Sequence, residues 1–310
     1  MSLPELSPLP TISYTHINNT KLFQIIMSNQ IPLDGKFHDV NVFKDVFIRI
    51  ALRNSEKKEF CFEPIDALIF DAICTLHTNK IHKFTVDTVA MIMYHDTHHR
   101  LRSEQILKIN NRIQAMSKLR IRLDITNELL VRNIVLDNDR LLKRNHFYQF
   151  ITLKEIDVVF TANRKQGRAY HVPLMPPLWE YTTAIEQVIL CPWGLFNLDK
   201  HRINEESLLI MRYIQKRVAE MKNKNNHQRS RKISLLWEDS NRHGLLVACN
   251  IDPDKYKNWN DKHRKICNFA ELFLLQLQNW PDRQFRIYGF TPYKSQGSFK
   301  TSGYIIKTKK

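Results

Sequence analysis

The chain has 310 residues, with 47 Lys and Arg against 31 Asp and Glu, a formal net charge of +16 and a pI near 9.6. A hydrophobic content of 43% excludes a disordered chain, and only 7 glycines speak against glycine-rich phosphate loops. The positive charge is spread along the whole sequence, so its field favours nucleic acid or an acidic membrane surface as partner over a merely basic soluble protein.

Length allows about two domains. Five widely spaced cysteines (Cys61, Cys74, Cys191, Cys249, Cys267) with no C-x-x-C pattern fit unpaired thiols in a reducing compartment, not a disulfide framework or a zinc knuckle. The start MSLPELSPLPT has neither the basic nor the apolar region of a signal peptide. The runs LFLL and LLVAC fall far short of the ~20 apolar residues of a spanning helix. The expectation is a cytoplasmic protein with no membrane partner.

Residues 1–60 read as an N-terminal extension with short strands, of which 45–52 (DVFIRIAL) is the clearest. Pro64 then opens a helix whose apolar face is Ile65, Leu68, Ile69, Ala72, Ile73 and Leu76. Thr85 is placed to cap a short second helix, with Val86, Val89, Ala90 and Met93 inward. Ser103 is placed to cap a third, with Ile106, Ile109, Ile113 and Met116 on its core side. Leu119, Ile121, Leu123 and Ile125 then alternate with Arg120, Arg122 and Asp124, the period of a half-buried strand. Strand-like pieces follow at 147–152 and 156–161, before a basic turn with Gly167.

VPLMPPLWEY, with three prolines, marks a boundary, and the order of elements then recurs. Asn204 caps a long helix bearing Leu208, Met211, Ile214, Val218 and Met221 on one face. A basic loop, KNKNNHQRSRK, leads to a short strand and a weakly phased second helix over 233–251. A strongly amphipathic helix over 261–280 carries Ile266, Phe269, Phe273, Leu274, Leu277 and Trp280 on one side. Its N-terminal cluster, Lys262, His263, Arg264 and Lys265, opposes the positive helix end, so another gain must hold it there. Strands at 285–290 and 304–307 flank a polar, basic segment with Lys294 and Lys300.

Three helices followed by a β-hairpin is the winged form of the helix-turn-helix arrangement, in which the last helix enters the major groove. The expected architecture is therefore α+β: two tandem winged-helix domains at 61–175 and 201–310, joined by a connector at 176–200. In the first, the non-core face of the third helix offers Gln105, Lys108, Asn111, Arg112 and Lys118, continued by Arg120 and Arg122. In the second, Lys262, His263, Arg264, Lys265 and Asn268 form the helix part and Lys294 and Lys300 the wing. Arg suits guanine, Asn and Gln suit adenine, and Lys suits phosphate. A solvated helix face explains either set alone. Two such helices in the same ordinal position are less easily explained that way.

Over 200–310 the helix SLLIMRYIQKRV, the basic loop, the helix FAELFLLQLQNW and the strand FRIYGF resemble the iteron-binding plasmid replication initiators, the Rep family with two winged-helix domains. Over 63–175 the match is in the order of elements. The resemblance implies a non-enzymatic protein that binds double-stranded DNA at directly repeated origin sites, opens the duplex and recruits host replication proteins. It also implies a homodimer formed through the first domain. A winged-helix transcriptional regulator would use the same DNA contacts.

A nickase is the catalytic alternative. YHDTHHR gathers His95, Asp96, His98 and His99 beside Tyr94, but the spacing is wrong for a His-apolar-His metal pair. Exposed turn histidines fit that segment better. No Walker A, G-x-S-x-G or H-E-x-x-H pattern occurs, and no cofactor or metal is expected.

Overall fold

The computed structural model describes residues 4–6, 10–56, 59–96, 101–135, 146–198, 203–222, 230–234, 244–297 and 299–308. The chain is mixed α+β and divides into two compact units, Met1–Leu190 and Cys191–Lys310. The five cysteines are unpaired.

In the first unit, β1 (Glu5–Leu6), β2 (Tyr14–Asn18), α1 (Lys21–Met27), β3 (His38–Phe43) and β4 (Val46–Asn54) precede α2 (Pro64–Thr78). Then come β5 (Lys83–Phe84), α3 (Val86–Tyr94), α4 (Ser103–Ser117), β6 (Leu119–Asp124), α5 (Thr126–Arg132), β7 (Tyr148–Gln149), β8 (Lys154–Phe160), β9 (Gln166–His171), α6 (Pro177–Ala184) and β10 (Val188–Pro192). The helical period places Ile65, Leu68, Ile69, Ala72, Ile73 and Leu76 of α2 in the core, against Val89, Ala90 and Met93 of α3 and Ile109, Ile113 and Met116 of α4. Thr85 caps α3, its hydroxyl accepting from the Thr88 N–H at 3.2 Å. Ser103 is not a cap: it begins the α4 helix, and Arg102 holds the cap position.

Two four-stranded sheets flank these helices. One has the order β1-β8-β9-β5, with β8 and β5 both antiparallel to β9. The other, in the order β3-β4-β6-β7, is antiparallel throughout. This second sheet corrects two sequence expectations. Residues 1–60 are no separate extension, because β3 and β4 pair into the same sheet as β6. The strand following the third helix also belongs to this sheet and not to the hairpin formed by β8 and β9. Local alternation reveals a strand but not its partner, since pairing depends on residues some 70 positions away.

The second unit runs α7 (Glu205–Lys222), β11 (Ser230–Ser234), α8 (Leu245–Ala248), a 3-10 turn (Pro253–Lys255), α9 (Trp259–Asn279), β12 (Gly289–Tyr293) and β13 (Gly303–Lys307). Asn204 receives the Ser207 N–H at 2.8 Å, and Asn258 that of Asp261 at 3.2 Å, which caps the two long helices. Ile266, Phe273, Leu274 and Leu277 are buried, while Phe269 and Trp280 are half-buried. The sheet order is β11-β13-β12, again with both neighbours antiparallel to the last strand.

The first strand of this hairpin starts at Gly289 and not at Phe285. Residues 282–286 instead form a turn, with Asp282 O accepting from the Phe285 and Arg286 N–H groups at 3.1 and 3.0 Å. Lys222 Nζ donates to the carbonyls of Arg283, Gln284 and Arg286, and its partial burial lowers its pKa to about 8. With those acceptors satisfied by a side chain, the buried pair Phe285 and Ile287 mimics strand alternation without a strand.

Two stability predictions follow from this packing. Gly303 opens β13 between its neighbours, and a Cβ there would lie 2.2 Å from Ile233 O. A backbone carbonyl held in a ladder cannot move aside, so Gly303→Val should destabilise the protein by at least the ~1–3 kcal/mol typical of overpacking. A denaturant midpoint unchanged from wild type would refute this. His77 packs edge-on against His82 with ring centroids 4.5 Å apart, and both its ring nitrogens are buried with no hydrogen-bond partner among the described residues. Burial, then the neighbouring His82, lowers its pKa to about 4. A lowered folded-state value means that His77 supports folding fully above pH 6.5 and progressively less as pH falls toward 4. Thermal melts of His77→Phe should show a smaller loss of stability across that window than wild type.

Candidate nucleic-acid interface

In each unit a tyrosine on a hairpin strand ties one helix to the sheet, α4 in the first and α9 in the second. In the first unit Tyr170 of β9 donates its hydroxyl to Asn110 Oδ1 on α4 and accepts from Gln114 Nε2 at 3.4 Å. In the second, the buried Tyr304 hydroxyl of β13 reaches both Cys267 O and Glu271 Oε1 on α9 at 3.1 Å. Each helix is thus pinned to a hairpin strand at one point, with its apolar face buried and its polar positions at the surface.

Of the α4 candidates, Gln105, Lys108 and Asn111 are exposed, alongside Ser103, Glu104 and Leu107. Gln105 accepts from the Arg102 N–H at 3.1 Å, and Lys108 lies 3.7 Å from Glu63. Arg112 is the main departure from the sequence expectation, because it points toward the start of α2. It donates to both oxygens of Asp66, to Glu63 Oε1 at 3.0 Å and to Cys61 O at 2.8 Å, and its guanidinium lies over the Phe60 ring. Asp66 is fully buried. Burial raises its pKa and the Arg112 hydrogen bonds pull it back. Arg112 therefore holds two helices together and is withdrawn from any base edge. A carboxylate in the apolar run EPIDALIF was the available signal, since a buried charge requires a partner.

Lys118 pairs with Glu56 at 2.7 Å, while Arg120 and Arg122 lie on the β3-β4-β6-β7 sheet. The structure thus separates these three from the α4 surface with which the sequence grouped them.

At the N-terminus of α9 the cation cluster also divides. Lys262 lies between Glu206 (2.6 Å) and the Tyr256 ring, so it fastens α9 to α7. His263 is half-buried against Trp259 and Cys267, and burial lowers its pKa. Arg264 and Lys265 face outward, each with 72% of its side chain exposed, and both pair with Asp261 at 2.6 and 2.8 Å. Asp261 in the first turn is the compensation that the opposed helix end demanded, and its own pKa is lowered by the two cations. Asn268 continues this exposed stripe one turn further. Lys294 and Lys300 are exposed on the segment between β12 and β13, and Lys300 donates to Asn260 Oδ1 at the start of α9. Hairpin segment and helix end therefore form one continuous basic surface.

The His-rich segment differs from expectation as well. His95 is buried, closes α3 in a left-handed conformation and has Nε2 2.8 Å from Thr15 Oγ1, so it is no exposed turn histidine. Tyr94 is buried too. His98 and His99 lie outside the described residues, as does most of the basic loop after α7. Among the described residues, no group of three or more His, Cys, Asp or Glu side chains could hold a metal ion, and no helix is long and apolar enough to cross a membrane.

No protein-family model and no curated protein matches the chain. A search of solved structures finds it similar to the crystal structure of domains 2–3 of RctB, with a TM-score of 0.42 and 13% identity over 92% of this chain and 96% of that one. The selenomethionine derivative of the same two domains gives 0.39 and 12%, over 91% and 94%. At TM-scores below 0.5 this likeness decides neither the fold nor the activity of the chain.

Proposed function

We propose that the chain is a non-enzymatic, duplex-DNA-binding replication initiator built from two winged-helix domains. One observation carries this reading: the second unit follows the order helix, strand, helix, helix, strand, strand, the first unit repeats it with β6, α5 and β7 inserted between α4 and the hairpin, and in both the first of these strands pairs with the last. The equivalent sheets are β5-β9-β8 and β11-β13-β12. That is the connectivity by which a hairpin supports a third helix as the recognition element. The same connectivity arises twice, with a tyrosine clamp in each copy, and this supports two reading heads aimed at repeated sites.

The candidate base-reading side chains are Gln105, Lys108 and Asn111 on α4 and Arg264, Lys265 and Asn268 on α9, with Lys294 and Lys300 as wing contacts to the backbone. Lys and Arg contacts to phosphate would supply most of the affinity through counterion release, and the amide and guanidinium groups the specificity. Initiation would further require host replication proteins as partners. The strong positive charge of the chain favours a nucleic-acid partner throughout.

Footprinting on DNA flanking the gene tests the reading. Protection of direct repeats is the expected result, with affinity falling about a thousandfold or more between ~50 and 200 mM salt if six or more phosphates are contacted. A salt-insensitive or absent complex would overturn it, and protection of a single palindrome would replace initiation by transcriptional regulation. Metal-dependent cleavage of supercoiled DNA, abolished by Tyr94→Phe, would sink the non-enzymatic part.

A further inference from the structure

The β3-β4-β6-β7 sheet is not explained by two winged helices, and its outer face is unusual. Its inner face carries Ile48, Ile50 and Leu52 of β4 and Leu119, Ile121 and Leu123 of β6, all buried. The register sets Arg49 opposite Asp124, Ala51 opposite Arg122 and Arg53 opposite Arg120, so by strand alternation all four arginines lie on the other face. There they interleave with aromatic rings. Arg49 lies 5.3 Å from the Phe37 ring centroid, Arg122 lies 4.0 Å from Phe37 and 4.8 Å from Phe147, and Arg53 lies 4.1 Å from Phe147. The result is a ladder across the sheet, Arg49–Phe37–Arg122–Phe147–Arg53, with Phe47 47% exposed further along β4.

We propose that this arginine–phenylalanine face is a binding surface for single-stranded nucleic acid, separate from the two helices and independent of the duplex-binding reading.

Charge and shape both support it. At one end Arg49 pairs with Asp124 at 2.6 Å and faces Asp39 across the β3 ladder. Arg53, Arg120 and Arg122 have no ion pair among the described residues. Arg53 and Arg120 stand directly opposite each other, an arrangement that costs stability in a sheet unless an anion lies between or above them. Phenyl rings hold guanidinium groups in place but leave their charge intact, so the face presents flat, fixed cations next to exposed aromatic surface. A duplex offers phosphates to such a face but keeps its bases stacked inside. A single strand offers both phosphates for the guanidinium forks and unstacked bases for the guanidinium planes and for Phe47. The half-buried Arg122, whose Nε is buried without a hydrogen-bond partner, acts as the fixed centre of the ladder.

Fluorescence anisotropy of the full chain tests this with labelled 20-nucleotide oligo-dT and oligo-U and with a 20-base-pair duplex. The wild-type protein should bind at least one single strand, and the tighter of the two identifies DNA or RNA as the source. Arg53→Ala with Arg120→Ala should weaken single-strand binding at least tenfold while leaving duplex affinity unchanged. The paired Arg53→Lys and Arg120→Lys variant keeps charge and fold but loses the planar forks, and it should weaken single-strand binding severalfold. The proposal is overturned if the wild type binds neither oligomer, if the substituted proteins bind as tightly as wild type, or if duplex affinity falls in parallel. Loss of duplex binding by the wild type, with single-strand binding retained, would sink the proposed function and leave this surface standing.

Discussion

Arg112→Ala should destabilise the first unit by about 3–5 kcal/mol, the range seen when one partner of a buried ion pair is removed. The cost arises because Asp66 is fully buried and loses two of its hydrogen bonds, while Glu63 and the Cys61 carbonyl lose theirs. Against the roughly 5–15 kcal/mol that holds a domain together, this is a large fraction. The variant should also acquire a characteristic pH dependence. Burial already raises the pKa of Asp66, and without Arg112 only the Glu63 N–H, donating to Oδ2 at 2.8 Å, still opposes that shift. A folded-state value above the unfolded one favours folding at low pH and loses that support as pH rises through the folded value. The deficit relative to wild type should therefore be smaller near pH 4 than at pH 7, and adding Asp66→Asn should recover part of it. Urea titrations at the two pH values provide the check; equal deficits at both would show that the guanidinium does not neutralise Asp66.

Replacing Arg264 and Lys265 together with alanine should have the opposite profile: little change in stability and a large change in DNA binding. Both side chains are mostly exposed, and their shared partner Asp261 is accessible to solvent, so the pairs are weak and screened by salt. A phosphate can displace Asp261 readily. If each cation contacts one phosphate, the slope of log affinity against log salt should fall by about 0.9 per residue, or roughly two in all. Binding measured at several salt concentrations decides the matter: an unchanged slope would mean that this end of α9 does not meet DNA. Lys262→Ala is the informative contrast, because loss of its contacts with Glu206 and Tyr256 loosens α9 from α7.

The contrast between Arg112 and Lys265 shows what can be read from residue order. Both lie off the apolar stripe of an amphipathic helix, and both were natural candidates for a DNA-facing surface. Arg112 meets Asp66, 46 positions earlier and on another helix, whereas the carboxylate nearest Lys265 is on its own first turn. The segment 285–290 carries the same lesson in backbone form, since alternation there comes from a turn whose carbonyls are capped by Lys222, more than 60 positions away. Arg120 and Arg122 were recognised as basic strand residues, but the rings of Phe37 and Phe147 that organise the face around Arg122 come from distant loops.

Helix periodicity, capping side chains and net charge are local or additive properties. The amphipathic helices and the basic character of the chain were therefore settled by residue order alone. Strand partners and ion pairs depend on which distant segments meet. Only the folded chain could decide which cations are consumed internally, which remain at the surface, and that β6 belongs to a separate arginine-faced sheet.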